Sequence, residues 1–199
     1  MFSGIVETVG HIEKIEHEAG CMKMIIATQN VFDDLAIGDS VAVNGVCLTV
    51  TDFTKTTFNV TAVPETLRLT NLGELILGSE VNLERAVKAS SRIGGHNIQG
   101  HVDGTGKIID LHTDGGESAL LLKISATEEV TKYIVAKGYV ALDGMSITVI
   151  EVQPEWFSIT VIPHTQEVTI AKNYSVGKSI NIEVDILGKY IEKFVKLYS

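Results

Sequence analysis

The sequence predicts an all-β chain made of two copies of one small antiparallel barrel or sandwich, followed by a single helix. Three observations predict it. Ser40-Val-Ala-Val-Asn-Gly-Val-Cys-Leu-Thr-Val50 recurs as Tyr139-Val-Ala-Leu-Asp-Gly-Met-Ser-Ile-Thr-Val149, 99 positions on. Short β-rich runs alternate with turn signals, and Asn44-Gly45 and Asp143-Gly144 between apolar runs mark hairpins, because these residues accept positive φ. Beyond residue 185 the apolar residues Ile186, Leu187, Tyr190, Ile191, Phe194, Val195 and Leu197 recur at helical spacing.

The elements follow in chain order. Gly4-Ile-Val-Glu-Thr-Val-Gly10 opens the first copy and recurs as Gly100-His-Val-Asp-Gly-Thr-Gly106, 96 positions on. Strands are expected over Lys23–Thr28, Ser40–Thr51 and Thr57–Val63, with counterparts in the second copy. Short helices are expected over Glu65–Leu72 and Thr127–Ala136. Val63-Pro-Glu-Thr66 falls on Ile162-Pro-His-Thr165, and Gly78-Ser-Glu-Val-Asn-Leu-Glu84 on Gly177-Lys-Ser-Ile-Asn-Ile-Glu183, both 99 on. The change from 96 to 99 implies a three-residue insertion in the second copy. Units of this length are too long for a solenoid and describe a duplicated domain. The small, polar, Gly-rich stretch Lys88–Gly95 reads as the boundary. The expected units are therefore 1–88, 96–185 and a terminal helix over 186–199.

Composition bounds the function. With 199 residues, 45% hydrophobic and 21% charged, the chain is neither disordered nor collagenous nor a disulfide scaffold. No apolar stretch approaches the roughly 20 residues of a membrane span. A net charge of −9 argues against nucleic acid and anionic membranes as partners. The first residues carry no leader of signal-peptide type, and two cysteines, Cys21 and Cys47, suit a reduced compartment. A cytoplasmic protein is expected.

Candidate chemistry sits at matched positions. Residues two apart on a strand share a face, so Cys47 with Thr49, and Ser146 with Thr148, each present a small polar pair, while Leu48 and Ile147 point the other way. The pair occurring in both copies suggests two related pockets. His96 and His101, five apart with no cluster around them, do not form a metal site; a histidine among glycines is an acid–base candidate or a structural hydrogen bond. Gly104-Thr-Gly106-Lys107 fails both the phosphate-loop and the dinucleotide patterns. Asp185 reads as a helix cap and aligns with Ala86, so the copies are chemically unequal there.

Six ordered blocks resemble the riboflavin synthase family, the lumazine-binding proteins with a duplicated barrel: Met1-Phe-Ser-Gly-Ile-Val-Glu7, Gly38–Thr51, Val81-Asn-Leu-Glu-Arg-Ala86, Gly94-Gly-His with Gly100-His101, Asp143-Gly-Met-Ser-Ile-Thr148, and Asn181-Ile-Glu-Val-Asp185. The resemblance runs nearly the full length. It implies two six-stranded antiparallel Greek-key barrels, each holding one 6,7-dimethyl-8-ribityllumazine, and transfer of a four-carbon unit between the two lumazines to give riboflavin. It implies no metal or organic cofactor. It implies a homotrimer joined through the C-terminal helices, with each active site between the first barrel of one chain and the second barrel of another. Association with lumazine synthase stays open.

Carried over by position, the first pocket comprises Gly4, Ile5, Val6, Cys47, Leu48, Thr49, Thr61, Ala62, Val63, Pro64, Glu65 and Thr66. The second comprises Gly100, His101, Val102, Lys137, Ser146, Ile147, Thr148, Thr160, Val161, Ile162, Pro163, His164 and Thr165. The positions implied to be catalytic are Phe2, Ser40, Cys47, His101, Thr148 and Asp185. Asn97 and Met145 depart from the family's usual residues. The alternative is the non-catalytic branch of the family, a fluorescent antenna that holds one lumazine or flavin; there the histidine matching His101 is lost and the second pocket is degraded.

Overall fold

The computed structural model describes residues 1–29, 33–113 and 118–197. The first half holds β1 (Thr8–Glu18), β2 (Cys21–Ala27), β3 (Ser40–Val43), β4 (Val46–Thr49), β5 (Asp52–Phe53), β6 (Thr57–Ala62), α1 (Pro64–Leu69), a 3-10 turn at Asn71–Glu74 and β7 (Glu80–Arg85). The second half repeats the order with β8 (Gly104–Thr113), β9 (Leu120–Ser125), α2 (Glu128–Thr131), β10 (Tyr139–Leu142), β11 (Met145–Gln153), β12 (Trp156–Val161), α3 (Pro163–Val168), a 3-10 turn at Ile170–Asn173 and β13 (Ser179–Val184). α4 (Ile186–Val195) ends the described chain; Tyr198 and Ser199, the end of the expected helix, lie outside the described residues.

All pairings are antiparallel, and the second half closes into a six-stranded barrel in the order β10-β11-β12-β9-β8-β13. The first sheet has the matching order β4-β3-β7-β1-β2-β6-β5. Its two end strands, β4 and β5, are joined by Val50 and Thr51 alone. The Thr51 N–H donates to the Asn59 carbonyl of β6 at 2.9 Å, so the sheet returns on itself. The Thr51 hydroxyl also donates to that carbonyl, at 3.2 Å, and the counterpart strand β11 carries a register shift at the same place, between Val149 and Glu151.

Alternation places the cores. β6 and β12 share one pattern, with Phe58, Val60 and Ala62 buried in one barrel and Phe157, Ile159 and Val161 in the other. Truncating either fully buried Phe to Ala costs about 3–5 kcal/mol by the usual cavity cost. The repeat register locates the insertion. β8 follows β1 by 96 positions (bulges at Ile12/Lys14 and Ile108/Asp110), the partners Ile26 and Ile124 differ by 98, and Phe58 and Phe157 by 99. Two of the three extra residues therefore lie between β8 and β9 and one between β9 and β10. The expected helix at Thr127–Ala136 shrinks to α2, because Ile134 turns into the core and Gly138 closes a turn onto Val135.

The halves meet at their hairpins. Asn44 and Gly45 (φ 47° and 76°), and Asp143 and Gly144 (φ 45° and 83°), adopt the left-handed conformation that two-residue turns need. A Cβ on Gly45 would lie 2.6 Å from the Gly144 nitrogen, so the turns pack back to back. Asn82 donates from Nδ2 to the Asp143 carbonyl at 2.9 Å, and Asn181 donates to the Asn44 carbonyl at 2.8 Å. These buried amides cross-link the halves in a near-symmetric ring.

Candidate functional site

Two arms outside the strands build the site. Residues 1–6 form one and 96–102 the other. Phe2 and Ile98 pair antiparallel, Phe2 N–H donating to the Ile98 carbonyl at 2.7 Å and Ile98 N–H returning at 3.1 Å. Both side chains are buried with Ala42 and Ala141 in a small cluster that Cys47 packs against. Phe2 is 0% exposed and presents no surface to a ligand.

From this cluster each arm reaches the opposite barrel. The Gly4 carbonyl accepts from the Ser146 N–H at 2.9 Å, and the Gly100 carbonyl accepts from the Cys47 N–H at 2.9 Å. Val6 packs against the second core and Val102 against the first. Both glycines are obligatory. Each has φ of 78°, and a Cβ would stand 2.6 Å from the Cβ of Ser146 or Cys47. This pairing runs across the grouping carried over by position. Gly4 pairs with Ser146 and Val6 packs on the second core, and Gly100 pairs with Cys47 and Val102 packs on the first. The arms exchange because their pairing at Phe2 and Ile98 is long-range, which no spacing along the chain reports.

Two carboxylates hold the arms to their own barrels. Glu84 accepts from Ser3 N–H (2.7 Å), Ser3 Oγ (2.8 Å) and Gly4 N–H (3.1 Å). Glu183 accepts from Gln99 N–H (2.7 Å) and Gly100 N–H (2.9 Å). Burial pushes both carboxyls above their ordinary range, and these hydrogen bonds pull against it. Residue reading passed over both. The available signal was a charged residue ending the same apolar strand in each copy.

The strand faces are as alternation requires. Cys47 and Ser146 are half-buried, Thr49 and Thr148 exposed, and Leu48 and Ile147 buried. Ser40 lies opposite Thr49, and Tyr139 opposite Thr148. Thr61 and Thr160 face outward at the ends of β6 and β12, whereas Ala62 and Val161 point into the cores and offer only backbone. Val63-Pro64-Glu65-Thr66 and Ile162-Pro163-His164-Thr165 form the first turns of α1 and α3, with no side-chain cap. A cavity of about 360 Å³ opens beside Thr61, lined also by Lys14, Lys23, Thr51 and Asn59. Another of about 540 Å³ opens beside Ile5, lined by Ser3, Glu84, Arg85 and Arg92. Cys47, Thr49, Ser146 and Thr148 line neither; Thr49 and Thr148 are exposed, and Cys47 and Ser146 are half-buried against the arms.

The remaining candidates separate. His101 is exposed at the tip of its arm, whereas His96 is buried with Nδ1 2.7 Å from Ser146 Oγ. Asp185 caps α4, accepting from Leu187 N–H at 3.0 Å. Lys137, exposed, holds φ of 66° where the first copy has Gly38 at 94°. Asn97 is exposed and Met145 is buried in the second core.

The lumazine binding domain family matches twice, over residues 3–86 and 99–185. The riboflavin synthase of Bacillus subtilis is 42% identical over 98% of this chain and 90% of its own length. That of Schizosaccharomyces pombe is 45% identical over 100% and 95%, and that of Mycobacterium bovis 42% identical over 98% of each. A crystal structure of LumP complexed with riboflavin superposes with a TM-score of 0.85 at 22% identity, over 93% of this chain and 100% of that one, a likeness of fold. The chain belongs to the riboflavin synthase family, with two lumazine binding domains in tandem.

Proposed function

We propose that this protein is a riboflavin synthase, a transferase that converts two molecules of 6,7-dimethyl-8-ribityllumazine into riboflavin and 5-amino-6-(D-ribitylamino)uracil. One observation carries the reading. Identity of 42–45% with riboflavin synthases of bacteria and fission yeast extends over both halves, and the second half keeps His101, Ser146, Thr148 and Asp185. The antenna reading requires that half to be degraded.

The exchanged arms define two unequal sites. The first combines Cys47, Thr49 and Thr61–Thr66 with Gly100–Val102. The second combines Ser146, Thr148 and Thr160–Thr165 with Gly4–Val6 and Lys137. Ser40, Cys47, His101, Thr148 and Asp185 carry or steady protons; Phe2, being buried, acts by anchoring both arms. The reaction starts by removing a proton from the 7-methyl group of one lumazine, whose electron-poor ring supplies most of the acidity. The protein's main task is to stack two large planar substrates, an orientation effect of at most about 7–11 kcal/mol.

The open faces of both sites suit completion by a second chain in a homotrimer. α4 is held to its own barrel by Lys189 to Asp103 and by Tyr133 and Lys132 to Glu192. Its other face leaves Leu187, Tyr190, Ile191, Phe194 and Val195 exposed, an apolar stripe of the kind that marks an interface. The cytoplasm is the setting; no helix among the described residues is long and apolar enough to cross a membrane.

The test is incubation of the purified protein with the lumazine in buffer containing EDTA, following absorbance. One riboflavin formed per two lumazines consumed is expected. A fluorescent complex without turnover assigns the chain to the antenna branch instead.

A further inference from the structure

We infer that His96 is a positioning residue of the second site, fixing the direction of the Ser146 hydroxyl that faces the bound substrate. The inference rests on the two-site reading above and deepens it.

Ser146 is held at both polar ends. Its N–H is taken by the Gly4 carbonyl at 2.9 Å, and its Oγ lies 2.7 Å from His96 Nδ1. A serine hydroxyl has one proton and a rotor that ordinarily leaves its direction free. Committing one hydrogen-bonding direction to the ring leaves a defined one for a ligand. The ring is itself fixed. His96 is 8% exposed, its backbone N–H donates to the Ser3 carbonyl at 3.2 Å, and its ring stacks on Tyr139 with centroids 5.3 Å apart and planes 12° from parallel. Burial pushes the imidazole below its ordinary value, against the pull of the Asp185 carboxylate. Burial thus favours the neutral ring, which keeps a lone pair on one nitrogen and a proton on the other.

The first site is built differently at the matching position. Cys47 replaces Ser146, and it packs against the apolar cluster of Phe2, Ala42, Ile98 and Ala141. One pocket thus offers a thiol beside hydrocarbon and the other an oriented hydroxyl. Dismutation needs two identical molecules to take opposite roles, as donor and as acceptor of the four-carbon unit. A polar group oriented in only one pocket gives the bound molecules different surroundings and so distinguishes them.

The experiment is a riboflavin titration by fluorescence quenching on the full chain, with the wild type, His96→Phe, His96→Asn, Ser146→Ala and the double variant His96→Phe/Ser146→Ala. His96→Phe keeps a ring over Tyr139 and removes Nδ1; His96→Asn returns a polar group near the Nδ1 position. His96→Phe should weaken one of two flavin sites about 5- to 10-fold, the scale of one neutral hydrogen bond, and leave the other unchanged. The double variant should be no weaker than Ser146→Ala, and His96→Asn should recover most of the loss. Additive losses, or a lowered melting temperature with both affinities intact, overturn the inference and leave the two-site reading standing. Absence of a second flavin site in the wild type overturns both. If His96→Phe does not fold, recovery in His96→Asn relative to Ser146→Ala decides the matter: two sites of wild-type affinity in Ser146→Ala refute the role.

Discussion

The carbonyl of Gly4, in the first half of the chain, accepts a hydrogen bond from the N–H of Ser146 in the second, and Gly100 and Cys47 repeat the relationship in reverse. Each of these strands is therefore met by the other half's arm. Gly4→Ala brings a Cβ within 2.8 Å of the Ser146 backbone nitrogen at a φ that side chains avoid. A cost above about 2 kcal/mol is expected, because the backbone cannot yield. Riboflavin titration should show loss at the Ser146 site in Gly4→Ala and at the Cys47 site in Gly100→Ala. Loss at the same-half site in either variant contradicts the exchange.

Lys137 keeps a left-handed backbone that the first copy gives to Gly38. Such a residue costs about 1 kcal/mol over glycine in the folded state, while glycine costs a similar amount through the freedom it adds to the unfolded chain. Lys137→Gly should change stability by less than about 1 kcal/mol in denaturant unfolding, yet raise the KM for lumazine. An unchanged KM contradicts a role for this lysine at the substrate.

Asp143 replaces Asn44 in the ring between the halves. It is buried, accepting from Asn181 N–H and Asn71 Nδ2 at 2.9 Å each and from Tyr174 O–H at 2.8 Å. Burial, opposed by these hydrogen bonds, pushes its carboxyl from 3.8 up to about 6. The native state then holds a proton that the unfolded chain releases first. The stabilisation this proton confers is complete below about 3.8 and is lost as pH rises through about 6, on the order of 3 kcal/mol. Asp143→Asn, which mimics the other copy, should flatten the pH dependence of the unfolding free energy between these values. An unaltered slope contradicts the assignment.

The apolar stripe on α4 predicts an oligomer. Phe194→Asp puts a charge among Tyr190, Ile191 and Val195, all more than half exposed in one chain. Sedimentation velocity should show a trimer for the wild type and a monomer for the variant, which should keep flavin binding and lose turnover. A wild-type monomer with full activity contradicts the assembly.

Much of this organisation is local and so was legible in the sequence. The hairpins at Asn44-Gly45 and Asp143-Gly144, the alternation around Leu48 and Ile147, and the helical spacing after Asp185 depend on near neighbours. The two offsets, 96 for the opening block and 99 for the rest, located an insertion but not its division between two loops. The arms were illegible. Gly4 and Ser146 are far apart in sequence, and the pairing of Phe2 with Ile98 that brings them together leaves no periodic trace. His96 could be read either as acid–base group or as structural partner, because its burial against Ser146 and Tyr139 is a tertiary fact. Glu84 and Glu183, present in the sequence only as matching positions of the repeat, anchor the arms.

On the proposed reading, turnover needs two unequal sites, one from each of two chains. The most direct test of this is subunit complementation. Gly100→Ala removes the Cys47 site and Thr148→Ala the Ser146 site, and each variant is expected to be nearly inactive alone. After co-refolding, mixed trimers contain interfaces with one intact site of each kind, so riboflavin formation from lumazine should return to a substantial fraction of the wild-type rate. If the mixture forms no more riboflavin than the sum of the two variants, the shared active site is wrong.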